Sequence, residues 1–473
     1  MARRRIPAGV VWPFALLAAI LLFQICTIRA GHIWGDDYAL YIHHAKNLAT
    51  GVPYADIGYI ADPGYPSYSL RVAPPGFPMI LAGIYRIFGM NFTAFKVVEV
   101  VFLTGCPAMM LLLFRDELTL PWRLTLVGLM GFNPFFRVFK DNVVSDLPFC
   151  FFVLLTAVLA ERQRPAWQTG VSAYLALATR TIGVLLLPAI VLHDLIRNKR
   201  ITRYSILAVA CCTVLGVSQR LILHADASDS YIDLFRPSVH VSLTNIRNYS
   251  FCFAQFWSTP FFWMTALICG ATILLAIRGI AGRQPVFLAL FSVPYGVALL
   301  LWPGASQETR YLIPLFVLFL FYVMRGMERW GWKLSAAACA LFLLGYTLEY
   351  RGQNFGAIDE ANGRPTFMAM CSWVTNHTAP DDRFVFNRAR TLSLFTDRPA
   401  SPYHRPAHPN SLWTWFHAQN IQYVIASRLF ERDRAVLTPI MERHRAEVEP
   451  AYRNADFTVY RIAGTAAAER PSP

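Results

Sequence analysis

Apolar runs of helical length recur from the N-terminus to about residue 349, and short charged clusters separate them. Runs of this length with so few charges are typical of helices that span a bilayer. The pattern predicts about eleven spans, at approximately residues 9–28, 92–114, 121–138, 146–160, 166–180, 182–196, 203–222, 256–278, 284–302, 309–324 and 333–349. We therefore predict an all-α polytopic membrane bundle over residues 1–349.

Basic side chains indicate the orientation of these spans. Arginines and lysines cluster in short segments between the runs, beginning with Arg3 to Arg5, and such an excess marks cytoplasmic loops. This places the N-terminus in the cytoplasm and the first long loop, residues 29–91, outside. Within that loop, the apolar run 74–89 is short and carries Arg86, and a crossing there would invert every later cluster. We therefore predict an outer interfacial helix that does not span the membrane.

The last part of the chain, residues 350–473, is polar and rich in arginine and proline. Alternation of apolar and polar residues predicts strands near 383–386, 421–425 and 457–460, with helical segments near 366–377, 410–419 and 433–445. This combination predicts a small C-terminal α/β domain, which the expected orientation places outside the cytoplasm.

Composition agrees with a membrane protein and argues against other classes. Of the 473 residues, 55% are hydrophobic and only 15% are charged, against roughly a quarter in soluble proteins. The net charge of +14 is spread in small groups between the apolar runs, which favours contact with anionic membrane lipids over nucleic-acid binding. Glycine-rich phosphate loops, dinucleotide fingerprints and nucleophile elbows do not occur in the sequence. Acidic residues are few within the runs, which argues against a proton-coupled transporter.

Two adjacent carboxylates, Asp36 and Asp37, open a predicted helix at the start of the first outer loop. One of them fits a helix N-cap, which this position favours. Capping leaves the second carboxylate unexplained in an acid-poor chain beside a membrane. A carboxylate here can act as general base for a hydroxyl or amine, or can hold a divalent cation. The sequence leaves both roles open.

Asp146 is a further candidate carboxylate of the site, although it also fits an N-cap of the helix that follows. Arg180 and Arg310 lie at predicted outer ends of apolar runs, and Glu308 stands next to the second of them. An arginine at such an end can simply extend to the interface. Several arginines beside carboxylates can instead clamp a phosphate through bidentate hydrogen bonds. Both interpretations stay open on these residues alone.

Five short motifs together resemble the GT-C superfamily of integral-membrane glycosyltransferases. They are Asp36-Asp37-Tyr38, the stretch 73–77 (Ala-Pro-Pro-Gly-Phe) leading into a helix that ends Ile87-Phe88-Gly89, the stretch 145–148 (Ser-Asp-Leu-Pro), the stretch 178–183 (Ala-Thr-Arg-Thr-Ile-Gly) and the stretch 308–314 (Glu-Thr-Arg-Tyr-Leu-Ile-Pro). The resemblance is nearest to the protein O-mannosyltransferase and aminoarabinose (lipid A) transferase branch. It covers residues 9 to about 349, and the C-terminal domain resembles those of many bacterial members.

This resemblance implies transfer of a sugar from a polyprenyl-phosphate donor to a lipid, glycan or protein acceptor at the outer face, usually with inversion. It implies that Asp36 or Asp37 is the general base, that Asp146 helps to position the site, and that Arg180 and Arg310 hold the carrier phosphate. Besides Arg180 and Arg310, the candidate substrate-binding residues are Glu308, Tyr38, Arg71 and His43. The expected location is the bacterial inner (plasma) membrane.

The sequence departs from the aminoarabinose transferases just before the Pro-Pro pair. They carry Glu-Lys there, whereas this chain has Arg71-Val72-Ala73. We therefore predict no metal ligand and no certain cofactor, and a divalent metal stays an alternative. Three other functions stay open: a flippase or transporter for a lipid-linked glycan, an assembly protein with a docking domain, and an O-antigen ligase or polymerase. The last would use the outer loop 223–255, with His224, Arg236, His240 and Arg247.

Overall fold

The computed structural model describes residues 8–61, 72–223, 238–280, 286–302, 308–404 and 410–463. The helices of the bundle are α1 (Ala8–Cys26), α2 (Asp37–Thr50), α3 (Gly76–Phe88), α4 (Phe92–Leu113), α5 (Leu120–Gly131), α6 (Pro134–Phe139), α7 (Asp146–Glu161), α8 (Ala166–Thr179), α9 (Leu186–Asn198), α10 (Arg203–Leu223), α11 (Val239–Ala254), α12 (Phe262–Ile280), α13 (Val286–Leu301), α14 (Ile313–Glu328) and α15 (Trp332–Gly352). Short 3-10 segments, Thr181–Leu185 and Thr309–Leu312, lead into α9 and α14.

Helices form where the sequence predicted spans, and all the predicted runs overlap one. Five helical segments in the described residues are long and apolar enough to cross a membrane: Phe92–Leu113, Thr181–Asn198, Arg203–Leu223, Phe262–Ile280 and Thr309–Glu328. The structure is therefore that of an integral membrane protein, while the number of about eleven spans stays a prediction.

The predicted interfacial run forms α3, which has 13 residues. At 1.5 Å per residue it is about 20 Å long, which is short against a hydrocarbon core of about 30 Å. It packs mainly on α2 and also contacts α4 and α8. Its length agrees with the prediction that it does not span the membrane, and this stays a prediction.

Small residues allow helices of the bundle to approach closely. A Cβ at Gly279 in α12 would collide with the carbonyl of Tyr322 in α14, and one at Gly326 would collide with the carbonyl of Leu275. Because apolar helices in lipid gain little from burying more apolar surface, such close backbone packing is a main source of their association. The α12–α14 pair therefore forms a rigid support for the segment Thr309–Leu312 just before α14.

The C-terminal residues form a five-stranded sheet flanked by short helices. Its elements are α16 (Pro365–His377), β1 (Phe384–Val385), α17 (Ala389–Thr396), β2 (Ala400–Ser401), α18 (Ser411–Ala418), β3 (Tyr423–Ser427), α19 (Thr438–Arg443), β4 (Val448–Arg453) and β5 (Phe457–Ile462). The strand order is β2-β1-β3-β5-β4, parallel between β1 and its two neighbours and antiparallel elsewhere. The predicted strands correspond to β1, β3 and β5, whereas β2, β4 and α17 were not predicted.

The first outer loop joins this sheet at its β2 edge. The Ala400 N–H donates to the Gly58 carbonyl at 2.8 Å, and the Ile60 N–H donates to the Ala400 carbonyl at 2.9 Å. Ile57 and Tyr59 are buried in the same hydrophobic core as β1 and β3. The division near residue 349 stays a prediction, but the loop and the C-terminal residues share one core.

Candidate active site

The first residue of α2, Asp37, faces the bundle and meets an arginine that is distant in sequence. Its Oδ2 lies 2.7 Å from Nη2 of Arg310, and the Asp37 side chain remains 43% exposed. Burial acts to raise the pKa of this carboxyl, but the charge and hydrogen bond of Arg310 outweigh it and hold the pKa of Asp37 below its usual value. Asp37 is therefore ionised and half-open to solvent.

The second predicted carboxylate, Asp146, lies deeper, at the first residue of α7. Nη1 of Arg180 donates to its Oδ1 at 2.6 Å, and Nη1 of Arg310 lies 3.7 Å from its Oδ2. Its side chain is only 4% exposed. A buried carboxylate needs such partners, and Asp146 in turn fixes both guanidinium groups. The structure thus brings these three predicted residues together.

Arg310 also contacts a third carboxylate and an aromatic ring. Its Nε lies 2.6 Å from Oε2 of Glu308, a charge contact without the alignment of a good hydrogen bond. The guanidinium carbons of Arg180 and Arg310 lie 5.2 and 5.1 Å from the ring centroid of Tyr311. Cation–π contact at these distances keeps both cations beside one ring. We call Asp37, Asp146, Arg180, Glu308 and Arg310 the arginine–carboxylate cluster.

Buried acceptors hold the turn that precedes α7. The Val144 N–H donates to Oε1 of Glu99 at 3.0 Å, and the Val143 N–H donates to Nε2 of His32 at 3.2 Å. Tyr41, one turn after Asp37, shares a 2.8 Å hydrogen bond with the Ser145 hydroxyl. These contacts fix Asp146 relative to α2. Sequence reasoning assigned them no role, although the i, i+4 spacing of Asp37 and Tyr41 was an available signal.

A histidine clamp fixes the Pro-Pro-Gly motif beside the cluster. His44 Nδ1 lies 2.7 Å from the Tyr54 carbonyl, and its Nε2 accepts the Ala73 N–H at 3.2 Å. These partners require a neutral ring protonated on Nδ1, and burial lowers the pKa of His44 to about 3 accordingly. Three residues after Ala73, Gly76 lies against the end of α8. A Cβ added at Gly76 would lie 2.8 Å from the Ala178 carbonyl. Arg180 follows two residues later.

The neighbouring carboxylate, Asp36, has different surroundings. It occupies the N-cap position of α2, yet its side chain makes no capping hydrogen bond. Burial raises the pKa of Asp36 above its usual value, and the charges of Arg390 and Arg388 at the start of α17 oppose this. Its Oδ1 is buried without a hydrogen-bond partner among the described residues. Asp36 is thus associated with the C-terminal residues, and Asp37 with the bundle.

Three further predicted substrate-binding residues are not brought to the cluster by any described contact. Tyr38 is only 1% exposed and packs against the rings of His32 and Phe92. His43 is buried 3.9 Å from Asp397 in the turn after α17. Arg71 lies outside the described residues.

The cluster does not fit a metal site in this structure. Arg310 itself lies among the carboxylates of Asp37, Asp146 and Glu308, so a cationic side chain occupies the position where they meet. The described part of the chain holds no group of three or more His, Cys, Asp or Glu arranged to bind a metal.

The overall fold matches that of solved structures. ArnT from Cupriavidus metallidurans bound to undecaprenyl phosphate matches with a TM-score of 0.64 at 11% identity, over 98% of this chain and 100% of that one. Both ArnT and the oligosaccharyltransferase described next are GT-C glycosyltransferases. The chain has the GT-C fold. The likeness predicted from the five motifs is thereby confirmed for the fold.

The GT-C match extends to a second enzyme. The Archaeoglobus fulgidus oligosaccharyltransferase in its apo form gives a TM-score of 0.56 at 10% identity, over 88% of this chain and 70% of that one. The same protein in complex with Zn and sulfate gives 0.57 at 11% identity, over 95% and 73%. No family model matches the sequence, and no curated protein matches it. The GT-C match to ArnT includes the C-terminal sheet, because nearly the whole chain is covered.

Proposed function

We propose that this protein transfers a sugar from a polyprenyl-phosphate carrier to an acceptor at the outer face of the membrane. The observation that carries the proposal is the meeting of Arg180 and Arg310 with the carboxylates of Asp37 and Asp146. Two guanidinium groups suit a phosphate leaving group, and an open carboxylate suits an acceptor hydroxyl or amine. The GT-C fold supports the same chemistry, since ArnT was solved with undecaprenyl phosphate bound.

In the proposed step, the acceptor oxygen or nitrogen attacks the anomeric carbon of the donor sugar. The bond between that carbon and the phosphate oxygen breaks, and the carrier leaves as prenyl phosphate. Asp37 accepts the acceptor proton, while Arg180 and Arg310 stabilise the charge that develops on the phosphate. A single displacement of this kind inverts the anomeric configuration.

Of the two adjacent aspartates, Asp37 is the proposed base. Its carboxylate is in the cluster and is 43% exposed, so an acceptor can reach it. Asp146 is nearly buried and already binds both arginines, so its proposed role is to position them. Asp36 faces the arginines of α17 and is assigned a supporting role.

The proposal includes location and partners. The prenyl chain of the donor would remain in the bilayer, while the cluster meets a lipid, glycan or protein acceptor at the outer surface of a bacterial inner membrane. The ligase or polymerase alternative gains no support, because His240 and Arg247 are exposed on α11 and His224 and Arg236 lie outside the described residues.

The test is a comparison of strains that lack the gene and carry either the wild type or the variants Asp36→Asn, Asp37→Asn and the double variant. Mass spectrometry of cell-surface lipids and glycans identifies the missing product, and membrane abundance is measured in parallel. We expect Asp37→Asn and the double variant to lose the product at normal abundance. Normal product from the double variant would refute the transferase proposal.

A further inference from the structure

Arg310 is shared by three carboxylates that differ in their freedom to move. Asp146 is 4% exposed and held by Arg180 as well, whereas Asp37 is 43% exposed and Glu308 is 46% exposed. The Nη2 atom of Arg310 is committed to Asp37 at 2.7 Å. Asp146 is therefore a buried partner of Arg310, whereas Asp37 and Glu308 are exposed partners, Asp37 on Nη2 and Glu308 on Nε.

This arrangement conflicts with the two tasks of the proposed reaction. Arg310 must present its N–H groups to the donor phosphate, and Asp37 must be free to take a proton. While the two are paired, one N–H group of the Arg310 guanidinium is used by Asp37, and the guanidinium charge offsets the charge of the Asp37 carboxylate. A phosphate competes well for such a position, because it offers several charged oxygens in the geometry that guanidinium groups prefer.

We propose, on the basis of the function proposed above, that the Asp37–Arg310 ion pair is a latch that the donor phosphate opens. The phosphate replaces the Asp37 carboxylate on Nη2 of Arg310, while Asp146 keeps Arg180 and Arg310 in place. The displaced carboxylate remains on α2 beside the bound donor and faces the acceptor. Donor binding therefore precedes activation of the base.

The charges agree with this order. Arg310 holds the pKa of Asp37 below its usual value against the effect of burial, so the paired carboxylate is a weak proton acceptor. Once the phosphate has replaced Asp37 as the partner of Arg310, the Asp37 carboxylate becomes a stronger base without any change in covalent structure. An acceptor that binds before the donor meets an Asp37 carboxylate that is still paired with Arg310 and is therefore a weak base.

The latch predicts that loss of the base strengthens binding of the carrier. Undecaprenyl phosphate is titrated against protein in nanodiscs, and the dissociation constant is read by native mass spectrometry. Because Asp37→Asn removes the carboxylate that occupies Nη2 of Arg310, we expect about five- to tenfold tighter binding, while Arg310→Gln weakens binding by about tenfold or more. The control is Asp381→Asn, which removes an exposed carboxylate outside the cluster and should leave the constant unchanged.

The outcomes separate the latch from the function. Unchanged or weaker binding by Asp37→Asn, with Arg310→Gln still impaired, overturns the latch and leaves the transferase proposal standing. Normal binding by both Arg180→Gln and Arg310→Gln overturns the assignment of the phosphate site, and the latch with it. Thermal melting of each variant identifies a folding defect, and Asp37→Glu then serves as a second variant that should bind the carrier as the wild type does.

Discussion

Two adjacent aspartates have different surroundings because consecutive residues of a helix point in directions about 100° apart. At the start of α2, Asp37 pairs with Arg310 of the bundle, whereas the cations that act most on the Asp36 carboxyl are Arg390 and Arg388 at the start of α17. The residue type alone does not separate their roles. Their surroundings do: arginine charges act to lower the pKa of both carboxylates, but burial outweighs them at Asp36, whereas Arg310 outweighs burial at Asp37.

The acidic side of the pH–rate profile should identify the base. A general base works only when ionised, so activity falls as the pH drops through its pKa. Arg310 lowers the pKa of Asp37, whereas burial raises that of Asp36. We therefore expect kcat/KM for the donor to fall only below the usual range of an aspartate, in the wild type and in Asp36→Asn alike. A fall above that range, abolished by Asp36→Asn, would assign the base to Asp36 instead.

Sequence reasoning identified the charged residues of the cluster from their types and their positions at the ends of apolar runs. Asp37, Asp146, Arg180, Glu308 and Arg310 were all candidates, and the structure brings them into contact. The partners of Asp36 could not be found in this way. Arg388 and Arg390 lie in a polar region where arginines are common, and only the tertiary fold selects these two.

Among the elements, the long helices were predicted well, because an apolar run of about 15 or more residues with few charges is visible in the sequence by its length alone. Prediction failed for α17, β2 and β4, which have eight, two and six residues. Tertiary contacts define these segments: β2 pairs with β1, α17 packs on α2, and β4, which shows no alternation of buried and exposed residues, pairs with β5. Two of these three segments, α17 and β2, meet the first outer loop, whereas β4 lies at the other edge of the sheet.

The close contact between α3 and α8 is a testable support of the site. A Cβ at Gly76 would lie 2.8 Å from the backbone of Ala178, so Gly76→Ala should push the start of α3 away from the residues before Arg180. We expect transfer to fall by about tenfold, since small misplacements near a site are costly. Gly83→Ala on the same helix meets no atom within 4 Å and is the matched control. Equal rates for the two variants would show that this contact does not position the site.

At the scale of the whole molecule, the first outer loop is held between the bundle and the C-terminal residues. The Ile358 N–H donates to the Ala30 carbonyl at 2.8 Å, and the Thr391 hydroxyl donates to the Gly35 carbonyl at 3.0 Å. The second bond lies directly before Asp36 and Asp37. The C-terminal residues thus help to define where α2 begins, and with it where Asp37 stands relative to Arg310.

This dependence predicts energetic coupling between Asp36 and Arg390, which belong to different parts of the chain. Asp36→Asn and Arg390→Gln should each lower kcat by about three- to tenfold, because each loosens the start of α2 without removing the base. If the two charges act through one contact, the double variant should fall little further than the weaker single variant. Arg453→Gln, which changes an exposed arginine on β4, is the control and should have no effect. Independent, multiplying losses in purified protein would mean that Asp36 and Arg390 support the site separately, and that the C-terminal residues do not act on α2 through this pair.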